Sequence, residues 1–201
     1  MAYKDPLKQK QAQAEHYQNN KTIYRDRLKA RRAATQQFVD SIKLGKCCKF
    51  CSEDDVCCLD FHHRNPDSKA FTITFATKSG YAESRLLEEI EKCDIVCANC
   101  HLSHHKTEYP LPTNKRGLRN SLWLRQYKSD KCCSKCGETN SATLCFHHLG
   151  EKSYCVSDLV VKGFAIARIE AEIAKCEILC ANCHRKEHQG NVWADLSVRT
   201  A

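Results

Sequence analysis

Apolar residues in this chain come in short patterned bursts within a largely polar sequence. In CCLDFHH, Leu59 and Phe61 alternate with Asp60 and His62, and that period of two predicts a strand, because successive strand side chains face opposite sides. Leu86, Leu87, Ile90 and Cys93 follow a spacing of three or four, as do Ile169, Ile173 and Cys176, which predicts amphipathic helices over 82–93 and 165–176. Residues 94–96 read as a short extended piece. Residues 101–106 read as a helix that stacks His101 and His105 one turn apart on one face. Residues 1–30, rich in Gln, Lys, Arg and Ala, suit a helix with little apolar surface, one that gains stability by docking or by binding something.

The pattern occurs twice. Cys48, Cys51, His62 and His63 return as Cys133, Cys136, His147 and His148 at an offset of 85 residues. Lys92, Cys93, Cys97, Ala98, Asn99, Cys100, His101 and His105 return as Lys175, Cys176, Cys180, Ala181, Asn182, Cys183, His184 and His188 at an offset of 83. The two-residue difference falls after the double histidine, where HHRNPDSKAF faces HHLGEKSY, a change that a connector tolerates. Upstream, Phe38, Val39, Ile42 and Lys43 face Trp123, Leu124, Tyr127 and Lys128. The expected organisation is a basic helical arm over 1–30, one module over 31–112 and a second over 113–201, each module opening with a basic helix and stapled by metal. Trp193, in the short C-terminal tail, is expected to cap the second core.

Composition narrows the class. The chain has 201 residues, 16 Cys and a formal net charge of +8. So many cysteines fit either a secreted disulfide framework or a set of intracellular zinc-thiolate sites. The first residues, MAYKDPLKQKQ, show no apolar signal region, and no apolar run is long enough to span a membrane, so the expectation is an intracellular protein with reduced, metal-binding cysteines. Positive charge is concentrated ahead of each module: residues 1–46 hold 11 Lys/Arg against 4 Asp/Glu, and residues 113–131 hold 6 against 1. Arg25, Arg27, Lys29, Arg31 and Arg32, then Lys115, Arg116, Arg119, Arg125 and Lys128, are the candidate contacts for a polyanion. Solvated basic helix faces are the plainer alternative.

Paired Cys-x2-Cys knuckles, 45 residues apart in one copy and 43 in the other, are the spacing of closed tetrahedral zinc. The expected ligands are Cys48, Cys51, Cys97 and Cys100, then Cys133, Cys136, Cys180 and Cys183, for two structural Zn2+ ions. Cys57, Cys58, Cys93, Cys145, Cys155 and Cys176 read as small core residues. Such sites use no histidine, yet each copy keeps a double histidine on a strand and an i, i+4 pair on a helix. An open divalent-metal site, a second structural zinc site and unliganded surface histidines are the three readings of that surplus.

The order Cys-x2-Cys, strand ending in His-His, Cys-x2-Cys, helix with a His pair resembles the HNH endonucleases, carried by LDFHHRNP and CANCHLSHH. The resemblance covers nearly all of residues 46–108 and 131–189. It implies an α+β fold of two tandem ββα-metal modules and phosphodiester hydrolysis in DNA, with RNA as a further possible substrate. It implies His63 and His148 as general bases. His62, His101 and His105, and His147, His184 and His188, would hold a catalytic divalent cation, Mg2+ or Mn2+ or else Zn2+. The family's middle Asn, which orients the base, is replaced here by Lys92 and Lys175, so another acceptor is required, with Asp60 the candidate in copy one and Cys145 in its place in copy two. With two sets of site residues in one chain, a monomer or a weak dimer is expected to suffice for cutting both strands. The alternative is a zinc-stapled regulatory protein that binds nucleic acid without cutting it.

Overall fold

The computed structural model describes residues 5–105 and 111–189; the expected roles of Lys106 and Trp193 lie outside the described residues. The chain is α+β, with two small two-stranded sheets, each built from strands far apart in sequence. In order, the elements are α1 (Pro6–Lys43), β1 (Leu59–His63), a 3-10 turn (Pro66–Ser68), α2 (Ile73–Ser79), α3 (Glu83–Ile90), β2 (Cys93–Cys97) and α4 (Ala98–His104). There follow α5 (Lys115–Lys128), β3 (Leu144–His148), α6 (Val156–Val161), α7 (Ile166–Ile173), β4 (Cys176–Cys180) and α8 (Ala181–Gln189). From β1 on, the second half repeats the first, and β1 pairs with β2 as β3 pairs with β4.

Local chemistry sets the boundaries. Asp5 caps α1 by accepting from Leu7 N at 2.9 Å, and Pro6 sits at the first helical position, where its missing N–H costs nothing. The helix then runs through residue 30 without a break, so the arm and the basic helix of copy one are a single helix. Its buried residues are Thr35, Val39 and Asp40, all in its C-terminal part. The helices expected over 82–93 and 165–176 stop at Ile90 and Ile173, because Cys93 and Cys176 already begin the strands β2 and β4. The knuckle helix α4 starts at Ala98, ahead of its first histidine, because the Cys97 thiol caps it by accepting from Cys100 N at 3.4 Å. The extra residues of copy one form the 3-10 turn, capped by Asn65 accepting from Asp67 N.

The chain divides into two compact units: Met1–Leu44 with His63–Cys93, and Gly45–His62 with Asp94–Ala201. In the first, α1 packs on α2, and the stem of Arg31 lies against Gly80, which ends α2 at φ 66. In the second, β3 and β4 run antiparallel with Leu144 opposite Cys180 and His148 opposite Cys176. One core there joins Val156, Leu159, Val160, Ile169 and Ile173, covered by Trp123, Leu124 and Tyr127 of α5 and by Phe146. Close approach of α5 to α6 requires Gly117, where a Cβ would stand 2.4 Å from the Val161 carbonyl oxygen.

The same unit holds both pairs of cysteine knuckles, and α4 and α8 dock through equivalent residues. Asn99 N donates to Asn182 Oδ1 and Asn182 N donates to Asn99 Oδ1, both at 3.1 Å. This reciprocal pair relates the two CANCH segments by local two-fold symmetry. The contacts around it are not symmetric: Arg185 and Lys186 of α8 reach Asp60 and Glu53 of copy one. Copy one offers Leu102 and Ser103 at the equivalent positions.

Candidate metal centres

Each two-stranded sheet brings four thiols together at one end. Cys48, Cys51, Cys97 and Cys100 form one group, Cys133, Cys136, Cys180 and Cys183 the other, with all sulfur atoms of a group within 4.8 Å of one another. Cys51 and Cys97 lie 3.7 Å apart, Cys51 and Cys100 3.8 Å, and Cys136 and Cys180 3.6 Å. A tetrahedron with Zn–S bonds of about 2.3 Å has edges of about 3.8 Å, so both groups match zinc coordination. Backbone amides supply the second layer: Phe50 N donates to Cys48 Sγ, and Cys183 N to Cys180 Sγ, at 3.4 Å. Burial opposes ionisation of Cys48 and Cys133, but backbone N–H donors outweigh it and hold both thiols down at about 7. Both four-thiol groups thus have the make-up of structural zinc sites, as their spacing in the sequence predicts. Asp55, Cys57 and Cys58 also lie close together, but burial pushes both thiols up, Cys57 to about 11, which leaves them protonated.

The histidines form a second pair of clusters. In copy two, His147, His184 and His188 present ring nitrogens within 4.8 Å of one another, with ring centroids 4.6–5.2 Å apart. His147 Nδ1 is buried without a hydrogen-bond partner. A buried ring nitrogen without a partner is costly, and in a ring beside two other imidazoles this orphan fits a metal ligand. In copy one, the corresponding nitrogen, His62 Nδ1, lies 3.2 Å from His105 Nε2. There the group that meets the same distance limit is His62, His104 and His105. His104, which the sequence does not mark as a ligand, stands at the last position of α4; copy two has Glu187 there, paired with Lys135. His101 stays beside the cluster, its ring 5.1 Å from that of His62 and 5.0 Å from that of His105. Burial and the neighbouring imidazoles hold His62 and His184 below the usual imidazole range, which keeps them neutral and ready to ligate.

The expected general bases take a different setting. His63 is 9% exposed and its Nε2 pairs with Glu89 Oε1 at 2.8 Å. The same oxygen accepts from Ala70 N at 2.8 Å and Phe71 N at 3.4 Å, while Oε2 accepts from Lys92 at 2.7 Å. Copy two repeats the arrangement: Glu172 Oε1 takes His148 Nε2 at 2.9 Å and Ser153 N and Tyr154 N at 3.0 Å, and Oε2 takes Lys175 at 2.9 Å. Connectors of different length thus converge on one buried carboxylate. Burial pushes the Glu89 carboxyl up, but Lys92, His63 and the two amides prevail and hold it at about 2. Lys175 first, then the Tyr154 amide and His148, hold Glu172 at about 2 as well. The Asp60 expectation is therefore corrected: the acceptor beside the base is Glu89, and Asp60 turns instead to His101 Nδ1 at 3.1 Å and to Arg185 at 2.9 Å. Cys145 in Asp60's place takes nothing from the second base, since Glu172 serves it. The repeat carries a signal for these glutamates, an acid at an offset of 83 on the apolar face of each predicted helix.

Compared with family models, curated proteins and solved structures, the chain matches none. The candidate polyanion contacts divide. Arg25, Arg27, Lys29, Arg31 and Arg32 on α1, and Lys115, Arg116, Arg119 and Arg125 on α5, are exposed. Lys128 is not available: its Nζ donates to the Leu144 carbonyl at 2.6 Å and lies over the Phe146 ring, so it serves the fold. No described helix is long and apolar enough to cross a membrane.

Proposed function

We propose that the chain is a metal-dependent phosphodiesterase of the HNH kind acting on nucleic acid, DNA foremost. The observation that carries this reading is the duplicated pairing of a three-imidazole cluster with an adjacent strand histidine held by a buried carboxylate. His147, His184 and His188, and the copy-one cluster, would hold a divalent ion, which would supply charge neutralisation at the scissile phosphate and the leaving oxygen. Imidazole donors favour Zn2+, Ni2+ or Co2+ over Mg2+, whose chemistry asks for oxygen ligands. Pairing of Nε2 with Glu172 places the imidazole proton there and leaves the lone pair of His148 on Nδ1, the atom that takes a proton from attacking water. Glu172 then stabilises the imidazolium that forms. His63 and Glu89 play the same parts in copy one by the repeat. Exposed cations on α1 and α5 grip the phosphate backbone.

One observation favours the binding-only reading. Successive strand residues face opposite sides, and His147 faces α8 while His148 meets Glu172 of α7. Hydrolysis therefore requires the phosphodiester to lie across the end of β3, where the strand stops at His148. Supercoiled plasmid incubated with zinc-loaded protein and Zn2+, Ni2+, Co2+, Mn2+ or Mg2+, with and without EDTA, separates the readings. Nicked or linear product that disappears in the His62→Ala, His147→Ala double variant supports the nuclease. Retarded but uncut plasmid under every metal sinks it and leaves the binding protein.

A further inference from the structure

The asymmetry between the two knuckle helices has a chemical target. His101 turns Nδ1 toward Asp60 Oδ2 at 3.1 Å, which leaves its Nε2 directed away from the carboxylate, a fourth imidazole nitrogen beside the His62, His104 and His105 group. A carboxylate behind a ligating imidazole fixes its tautomer and ring orientation. Asp60 is itself gripped by a guanidinium fork from α8, with Arg185 Nη1 on Oδ1 and Nη2 on Oδ2, both at 2.9 Å. The same Arg185 reaches the carbonyls of Cys57 and Cys58 at 3.4 and 3.3 Å, which ties the fork to the backbone entering β1. Across the local two-fold, copy two has Cys145 for Asp60 and copy one has Leu102 for Arg185, so His184 lacks the equivalent support.

We infer that Arg185 of the second module is a positioning residue for the first module's metal centre, acting through Asp60 on His101, so that the first histidine cluster binds its divalent ion more tightly than the second. The inference rests on the reading of the histidine clusters as metal sites. Its physical basis is geometric: Asp60, Arg185 and His101 side chains are 27%, 36% and 30% exposed, where an ion pair contributes little energy but a bidentate fork still sets direction. The consequence is a one-way dependence. Copy one's full metal site needs copy two docked against it, through the reciprocal Asn99–Asn182 bonds, whereas among the described residues no copy-one carboxylate backs a copy-two imidazole.

The test is a titration of the full chain, its thiolate sites already filled with zinc, with Co2+ followed by d–d absorption. Thiolate-to-cobalt charge transfer reports any zinc displacement. Wild type should take up cobalt in two steps of different affinity, the tighter abolished by His62→Ala and the weaker by His147→Ala. R185Q should weaken the tighter step about tenfold, within the range for lost outer-layer support, and shift its absorption, while zinc content and the weaker step stay put. R185K, with one charged donor in place of the fork, should lie between. Asp60→Ala should weaken the tighter step at least as much, and the double variant no more than Asp60→Ala alone, because the two act in series. An unchanged tighter step in R185Q, or full additivity in the double variant, overturns the inference. Absence of any cobalt uptake by wild type beyond the thiolate sites overturns the metal reading itself. Should R185Q fail to retain its zinc, R185K is read in its place, and an affinity between those of wild type and Asp60→Ala together with a full zinc complement supports the relay, while a wild-type affinity overturns it.

Discussion

Glu89→Ala removes the acceptor on which one strand histidine, one connector and one lysine converge. Glu89 is 2% exposed, and its loss strands two close donors, His63 Nε2 and Ala70 N, each at 2.8 Å, and the longer Phe71 N. Lys92 is 38% exposed on its side chain and returns to water at little cost. At about 1–3 kcal/mol per stranded buried donor, the two close ones cost about 2–6 kcal/mol. That is a large share of the roughly 5–15 kcal/mol available to a domain. Glu89→Gln keeps the oxygen facing His63 but turns its NH2 toward Lys92, which returns to water, and loses the extra strength of a charged acceptor, so it should cost about 1–2 kcal/mol. Urea unfolding of zinc-saturated protein, read by circular dichroism, measures both. If Glu89→Ala comes within about 1 kcal/mol of wild type, or Glu89→Gln is as costly as Glu89→Ala, then these donors do not depend on the carboxylate. In the proposed reaction Glu89→Gln also takes the negative charge from beside the forming imidazolium, so cleavage by copy one should fall by up to the ~10²–10⁴-fold that a positioned base contributes. His63→Ala is the less clean probe, because it leaves that buried carboxylate short of a partner.

Elemental analysis of reduced, carefully purified protein should find about two tightly held zinc ions, and chelation should melt the modules, because thiolate–zinc binding is largely folding energy in so small a fold; fewer than one zinc contradicts the four-thiolate assignment. Gly117→Ala should lose about 1–3 kcal/mol by overpacking, since the atom its Cβ meets at 2.4 Å is the backbone oxygen of Val161 and cannot swing aside. Neutralising Arg25 and Arg27 should reduce the slope of log affinity against log salt by about 0.9 for each lost phosphate contact, while Lys128→Ala should lower thermal stability and leave that slope unchanged. His62 and His184 titrate below the ordinary imidazole range, so without metal the unfolded chain binds more protons just below about pH 6.5. Stability of the histidine-site metal-free protein should therefore rise with pH through that window, and a flat profile would count against the imidazole clusters.

Much of the fold is legible in the order of residues. The strand Leu59–His63 follows from its period of two, and the helices ending at Ile90 and Ile173 follow from spacings of three and four, because both patterns report which side of one element is buried. The thiolate sites are legible for a related reason: two knuckles of fixed internal spacing bring four sulfurs to tetrahedral distances once a pair of strands joins them. Boundaries shift where a side chain does a second job, as when the Cys97 thiol caps α4 and starts it early. Lys128 reads as a free cation because its sequence neighbours are basic, whereas its surroundings in space are a strand carbonyl and an aromatic ring.

What the residue order leaves open are relations between elements. Periodicity along α3 marks Glu89 as facing inward but says nothing of which donors wait there, since His63, Ala70 and Phe71 arrive from a strand and a connector. Nothing in either copy alone announces the grip of Arg185 on Asp60, because that contact exists only where the two knuckle helices dock. The repeat itself, the ligand types and the charge distribution are properties of the chain written out in a line. The partner of each buried charge, the admission of His104 to its cluster and the unequal support of His101 and His184 depend on distances set by packing, to which residues as much as 133 positions apart contribute.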